Sequence, residues 1–174
     1  VIFMRVFIIK LNRAFENFEL NNLSENRMDL VARCVSSAFF LDHDIRRDVK
    51  LLLCFDNNKV VEISGEIRQM RPDERSIAGF FKGLLQGKRY NGIRFYEASF
   101  NDIIKRYKVF YVLDRKGRDI KEIRIDKPVF IIGDDLGLPD IEGRKISLGP
   151  LSYMASHCIV ILNNHLDGVI YESA

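Results

Sequence analysis

An α/β fold, with a mostly parallel sheet covered by helices, is what this sequence predicts, and three observations predict it. Short β-branched and aromatic runs alternate with segments of helical period along the whole chain. In the second half, glycine-bearing turns follow directly on apolar strands. No Gly/Ser-rich or Pro-rich linker and no internal repeat interrupts the alternation, so the 174 residues read as one domain, 1–174, long enough to bury a core of its own.

The elements follow in order. Arg5 to Lys10 reads as a strand. Leu30, Val31, Cys34, Val35, Ala38 and Phe39 form one face of a helix, for which Asn26 is the expected N-cap and Asp29 suits the first turn. Val49 to Phe55 and Val60 to Ile67 read as strands around the turn-like Asp56-Asn57-Asn58, a pattern that suits a hairpin. Ile77, Phe80, Phe81, Leu84 and Leu85 make a second helical stripe behind Pro72-Asp73, with Asp73 as N-cap. Then come a strand over Ile93 to Ala98, a short helix over Phe100 to Tyr107, and strands over Val109 to Leu113, Val129 to Ile132 and Lys145 to Leu148. The last segment pulls two ways. Ile159-Val160-Ile161 favours a strand by propensity, but Leu151, Met154, Ala155, Cys158, Ile159, Leu162 and Leu166 keep a helical face, and the period predicts a helix entered through Gly149-Pro150.

Composition narrows the function classes. No window approaches the roughly 18 apolar residues of a membrane span, and the opening VIFMRVFIIK carries Arg5 and Lys10 without a small-residue cleavage site, so a cytoplasmic protein is expected. Cys34, Cys54 and Cys158 lack CxxC spacing and are odd in number, which speaks against a disulfide framework or a zinc site. Scattered histidines give no metal set. A formal net charge of +3 permits a nucleic-acid partner without requiring one.

Three turns lie just after apolar strands: LDRKG from Leu113, IIGDDLG with Gly133, and SLGP with Gly149. In open α/β sheets, ligands collect at the carboxyl ends of strands, where glycine lets a backbone come close. The three loops could line one pocket, or each glycine could simply make a turn. Neither GxxxxGK[ST] nor GxGxxG is present.

MRVFIIK, DLVARCVSSAFFLDHDIRRDV (29–49), RPDERSIAG (71–79), FIIGDDLG (130–137) and ISLGPLSYMASHCIVILNNHLD (146–167) resemble the archaeal tRNA pseudouridine-54 N1-methyltransferases, of the SPOUT class that uses S-adenosylmethionine. The resemblance runs from Met4 to Asp167. It implies an α/β fold with a C-terminal trefoil knot, a homodimer, tRNA as partner, and a cofactor held at Leu113, Gly133, Leu148, Gly149, Pro150, Leu151, Tyr153 and Cys158. This chain departs from the family at Leu23-Ser24-Glu25-Asn26, where a Pro-Gly step is usual, and at Asp114 and Asp135, where histidines are usual. Its segment from Gln86 to Gly92 is also short.

Methyl transfer is an in-line displacement in which positioning supplies most of the catalysis, and neither a metal nor a covalent nucleophile is needed. N1 of pseudouridine carries a proton that must leave, so a base helps; the candidates are carboxylates beside arginines, Asp73 in RPDER and Asp44 or Asp48 in DHDIRRDV, of which Asp73 is preferred, with helix capping its alternative role. His157 and Cys158 project about 100° apart on a helix, which favours Cys158 as a small buried hydrophobe over a thiolate nucleophile activated by its neighbour. Arg46, Arg47, Arg71 and Arg75 are the RNA-binding candidates, since guanidinium forks suit phosphates; interleaved Asp44, Asp48, Asp73 and Glu74 could instead pair with them as a solvated surface. Two other functions fit the same residues: a SPOUT enzyme acting on ribosomal RNA, and a non-catalytic RNA-binding module.

Overall fold

The computed structural model describes residues 4–172. Its centre is a seven-stranded sheet in the order β4-β3-β2-β1-β6-β5-β7. The strands are β1 (Arg5–Lys10), β2 (Val49–Cys54), β3 (Lys59–Ser64), β4 (Ile93–Glu97), β5 (Tyr111–Asp119), β6 (Val129–Gly133) and β7 (Arg144–Ser147). β2, β1, β6, β5 and β7 run parallel, while β3 and β4 add an antiparallel meander to β2. The fold class read from the sequence holds, and so does the hairpin about Asp56.

Central parallel strands are covered on both faces and so need continuous apolar runs. VFII in β1, LLLC in β2 and VFII in β6 meet that need, with Phe7 registered between Leu51 and Phe130. One face packs Phe7, Ile9, Leu51, Leu53 and Phe130 under α1 (Met28–Phe39), α2 (Glu74–Leu85) and α4 (Ala155–Glu172). The opposite face packs Val6, Ile8, Leu52 and Ile131 with Phe100 and Ile103 of α3 (Phe100–Ile104).

α1 and α2 form where the apolar stripes place them. Asp73 caps α2, its Oδ2 accepting from the Ser76 N–H at 3.0 Å. Ser99 and Asp102 make a capping box for α3, which ends at Ile104 and not at Tyr107. The expected cap at Asn26 is corrected. Asn26 (φ 51°) and Arg27 (φ 54°) both turn left-handed, Arg27 holds the N-cap position, and no side chain caps α1.

Two boundaries differ more. β5 continues past Leu113 to Asp119 because its polar half pairs with β7: Leu113 and Arg118 both register on Ile146, so 114–117 loop out as a bulge. Gly117 makes this possible, since a Cβ there would lie 2.5 Å from the Lys145 carbonyl carbon. α4 is a helix despite its β-branched run, but it starts at Ala155. Leu151 and Met154 precede it and are 65% and 44% exposed, so they do not extend its buried face.

At the far end of α4, Arg5 is fully buried yet fully engaged. Its guanidinium donates to Asp48 (3.2 Å), to the Asn163 side chain (3.1 Å) and to Asp167 (2.8 Å). A buried charge needs such partners to avoid its desolvation cost. The network fixes the first strand to the last helix.

Candidate active site

Adjacent parallel strands β6, β5 and β7 end on the same side of the sheet, and a cavity of about 730 Å³ opens beyond them. The β5 bulge and the loops after β6 and β7 form its wall. Leu113 and Asp114 come from β5, Gly133 and Asp134 from β6, and Leu148 and Gly149 from the turn after β7. Leu151, Tyr153 and Cys158 close it from the approach to α4. Of the cofactor positions expected from the sequence, all except Pro150 line this one space.

Local chemistry holds the walls in place. The Ser147 hydroxyl donates to the Gly149 carbonyl at 2.8 Å and accepts from the Gly149 N–H at 3.2 Å, which fixes the turn. Tyr153 folds back over Gly149 so closely that a Cβ there would overlap its hydroxyl. The Cys158 thiol donates to the Tyr153 carbonyl at 3.7 Å. Burial pushes that thiol up to about 11, so it stays protonated at neutral pH and is no nucleophile; His157, the preceding residue, is exposed.

The β6 loop is held by Asp134, whose side chain is wholly enclosed. It accepts from the Asn12 backbone (2.8 Å), the Asn12 amide (2.7 Å) and the Leu136 N–H (3.0 Å), and pairs with Arg13 at 3.3 Å. Asp135, next to it, takes a two-bond fork from Arg13 at 2.6 and 2.8 Å, which lowers its carboxyl below the usual range. The aspartate that stands where a histidine is usual is therefore an ion-pair partner that ties this loop to the segment after β1.

Other expected residues lie away from the cavity. Asp73 is exposed, lines no part of it, and is lowered by the hydrogen bond it accepts from Ser76. Arg46 is bound to Asp167, and Arg47 donates to the Gly65 and Ile67 carbonyls at 2.6 and 3.2 Å. Arg71 and Arg75 stand exposed beside Asp73 at the start of α2. Sequence reading missed the carboxylates in the cavity wall. Asp114, marked only as a departure, Asp134 and Asp140 all line it, and their signal is the acidic content of the β5 bulge and of the loop after β6. Among the described residues no helix is long and apolar enough to cross a membrane, and no group of three potential metal ligands gathers.

Known proteins of similar sequence and structure agree with this architecture. The profile of a family described as "Putative SAM-dependent RNA methyltransferase" matches residues 4–170. A protein of Methanocaldococcus jannaschii named tRNA (pseudouridine(54)-N(1))-methyltransferase is 38% identical, the match covering 94% of this chain and 97% of that protein. One of the same name from Methanococcus aeolicus is 39% identical over 92% of this chain and 96% of its own length. The crystal structure of Archaeoglobus fulgidus Nep1 bound to S-adenosylhomocysteine superposes with a TM-score of 0.70 at 14% identity, covering 95% of this chain and 98% of that one, so the SPOUT-type α/β fold is shared. With a family profile spanning almost the whole chain and relatives this similar over nearly their full length, the chain belongs to the S-adenosylmethionine-dependent RNA methyltransferase family that includes the tRNA (pseudouridine(54)-N(1))-methyltransferases.

Proposed function

We propose that this chain methylates N1 of pseudouridine at position 54 in the T-loop of tRNA. The observation that carries the reading is the cavity at three parallel strand ends, lined by nearly all the positions at which the family resemblance puts the cofactor. The identical activity named for relatives 38% and 39% identical supports the choice of substrate.

The residues present fit S-adenosylmethionine. The cavity lies within the roughly 300–1,000 Å³ usual for small-molecule sites. Leu113, Leu148 and Leu151 offer apolar surface to an adenine ring, and the Gly149 turn, fixed by Ser147, brings backbone to the cavity wall. Asp114 and Asp140 supply negative charge suited to a cationic ligand. Bound there, S-adenosylmethionine supplies an electrophilic methyl on a sulfonium.

The chain's own part is to hold the two reactants in line, exclude water with Leu151 and Tyr153, and receive the N1 proton. Asp114, which lines the cavity wall, and Asp73, which lies outside the cavity and is made a weaker base by its cap bond, are the two proposed acceptors. Arg71 and Arg75 are the proposed RNA contacts, with Arg46 and Arg47 holding the neighbouring loop to the core. A homodimer, a knotted C-terminal segment and a cytoplasmic location belong to the same reading. The exposed apolar residues Leu151, Met154 and Val160 favour the dimer, being a surface for a second subunit at α4.

The test is transfer of labelled methyl to two tRNAs that differ only in having pseudouridine or uridine at position 54, followed by mass mapping. Modification of the pseudouridine tRNA alone, at that base, is expected. Equal labelling of both, or of neither while ribosomal RNA is labelled, would overturn the substrate.

A further inference from the structure

At the outer edge of the sheet the chain builds a second cavity, of about 790 Å³, whose charge the protein does not balance. Lys116, Arg118, Arg124, Arg144 and Lys145 line it against a single carboxylate, Glu122. Arginines elsewhere are committed: Arg5, Arg13, Arg33 and Arg46 each sit within 3.4 Å of a carboxylate oxygen. Here Arg124 reaches Asp126 only at 3.6 Å and Lys145 reaches Asp140 only at 4.0 Å, with Lys145 half exposed and the other three side chains largely exposed. Among the described residues, the side chains of Lys116, Arg118 and Arg144 have neither an ion pair nor a hydrogen bond. Arg144 does lie over the Tyr111 ring, 6.0 Å from its centroid, a stacking that orients a guanidinium while leaving its N–H edge for another ligand.

The second cavity shares a wall with the first. Lys145 and Ile146 line both. The bulge between the two pairings on Ile146 is divided between them: Asp114 and Arg115 face the first cavity, Lys116 and Gly117 the second. Gly117, pressed against the β7 backbone, holds the divider in place. Cations gathered without counter-charges repel one another and focus a positive field, a cost that a polyanion relieves.

We propose that this cavity binds backbone phosphates of the RNA strand flanking the base being methylated. The inference rests on the RNA-methyltransferase reading and extends it. A base delivered to the first cavity carries phosphates on either side of it, and the shared wall puts the unpaired cations within reach of them. RNA is favoured over an acidic peptide by that continuity.

The experiment compares tRNA binding by the full chain and by a Lys116→Gln/Arg118→Gln/Arg144→Gln variant over a series of salt concentrations. S-adenosylhomocysteine binding and melting temperature serve as folding controls and are expected to hold. The variant is expected to bind tRNA about tenfold or more weakly at low salt, with its log–log salt slope reduced by about two, since each phosphate contact contributes roughly 0.7–0.9. Unchanged affinity and slope in the folded variant would overturn the inference. So would an equal loss in a Lys105→Gln/Lys108→Gln control, because net charge alone would then explain it. Wild-type methylation of pseudouridine 54 with an unaffected triple variant removes this inference and keeps the proposed function. Lost tRNA affinity in the variant, with no methylation of pseudouridine 54 by the wild type, does the reverse. A wild type that binds no tRNA removes both.

Discussion

Arg46 and Asp167 meet in a two-bond fork, each terminal guanidinium nitrogen donating to one carboxylate oxygen at 2.8 Å. Arg5 donates to the same carboxylate from the core side, also at 2.8 Å. Two cations from either side of α1 thus share one acid at the end of α4.

Asp167 is held below the usual carboxylate range chiefly by the Arg46 hydrogen bonds, against burial, with Arg5 adding to the effect. A lowered acid stabilises the fold above its unfolded pKa of about 3.9, and that stability is lost as pH falls through the lower folded value. Asp167→Asn should cost about 2 kcal/mol at neutral pH, the lower part of the range for hydrogen bonds to charged groups, because the carboxylate keeps contact with water. Chemical denaturation at pH 7 and pH 3 checks this: the gap between wild type and variant should narrow at pH 3.

Gly149 and Tyr153 make the second prediction. Gly149→Ala places a methyl against the Tyr153 hydroxyl and should weaken S-adenosylhomocysteine binding about tenfold, or roughly 1.4 kcal/mol, with a smaller loss of stability. Adding Tyr153→Phe should restore part of the affinity, because it removes the atom in nearest conflict. Tyr153→Ala alone should lower methyl transfer more than it lowers melting temperature, and a folded variant of undiminished activity would exclude a role for the ring.

Asp73 separates its two roles by substitution. Asparagine can still cap a helix but cannot accept a proton as a carboxylate does. If Asp73 is the acceptor, Asp73→Asn keeps the melting temperature and lowers the rate on the order of 10²-fold. Asp73→Ala should lower both. A full rate for Asp73→Asn moves the assignment to Asp114.

The cysteines give a chemical check on the site. Burial raises Cys158 to about 11 and Cys34 and Cys54 to about 12. Iodoacetamide at pH 8 should label the folded chain on the order of 10²-fold more slowly than a free cysteine, and methyl transfer should survive the treatment. Rapid loss of activity, protected by S-adenosylhomocysteine, would show an exposed thiolate instead.

Much of this was legible in the residues, and the misses have physical causes. The stripes of α1 and α2 and the cap at Asp73 depend on local spacing, which a sequence displays directly. The first cavity was legible only in part: Gly133 and Gly149 stand at strand ends that open on it, but the residues alone left a simple turn open at each glycine, and Gly117 of the third turn lies inside β5. β5 was cut at Leu113 because Asp114 to Asp119 show no apolar alternation; what extends the strand is pairing with β7, a partner more than 25 residues on. The basic second cavity was missed for the same reason, since Lys116, Arg118 and Arg144 come together only through that pairing. Arg46 was weighed between RNA and the nearby acids Asp44 and Asp48 because its actual partner, Asp167, lies 121 positions away.

The placement of β1 bears on how the chain is made. This strand is synthesised before either of its neighbours, yet it lies mid-sheet, with β2 on one side and β6 on the other. Its Val6 pairs with Val129, and its Arg5 with Asp167. At a ribosome's pace of roughly 5–20 residues per second, β1 waits several seconds or more for β6, with an apolar edge open to other strands. Translation speed between β1 and β6, and chaperone cover for the nascent chain until β6 emerges, therefore bear on yield, and truncation before Val129 leaves a fragment whose central strand has lost a neighbour.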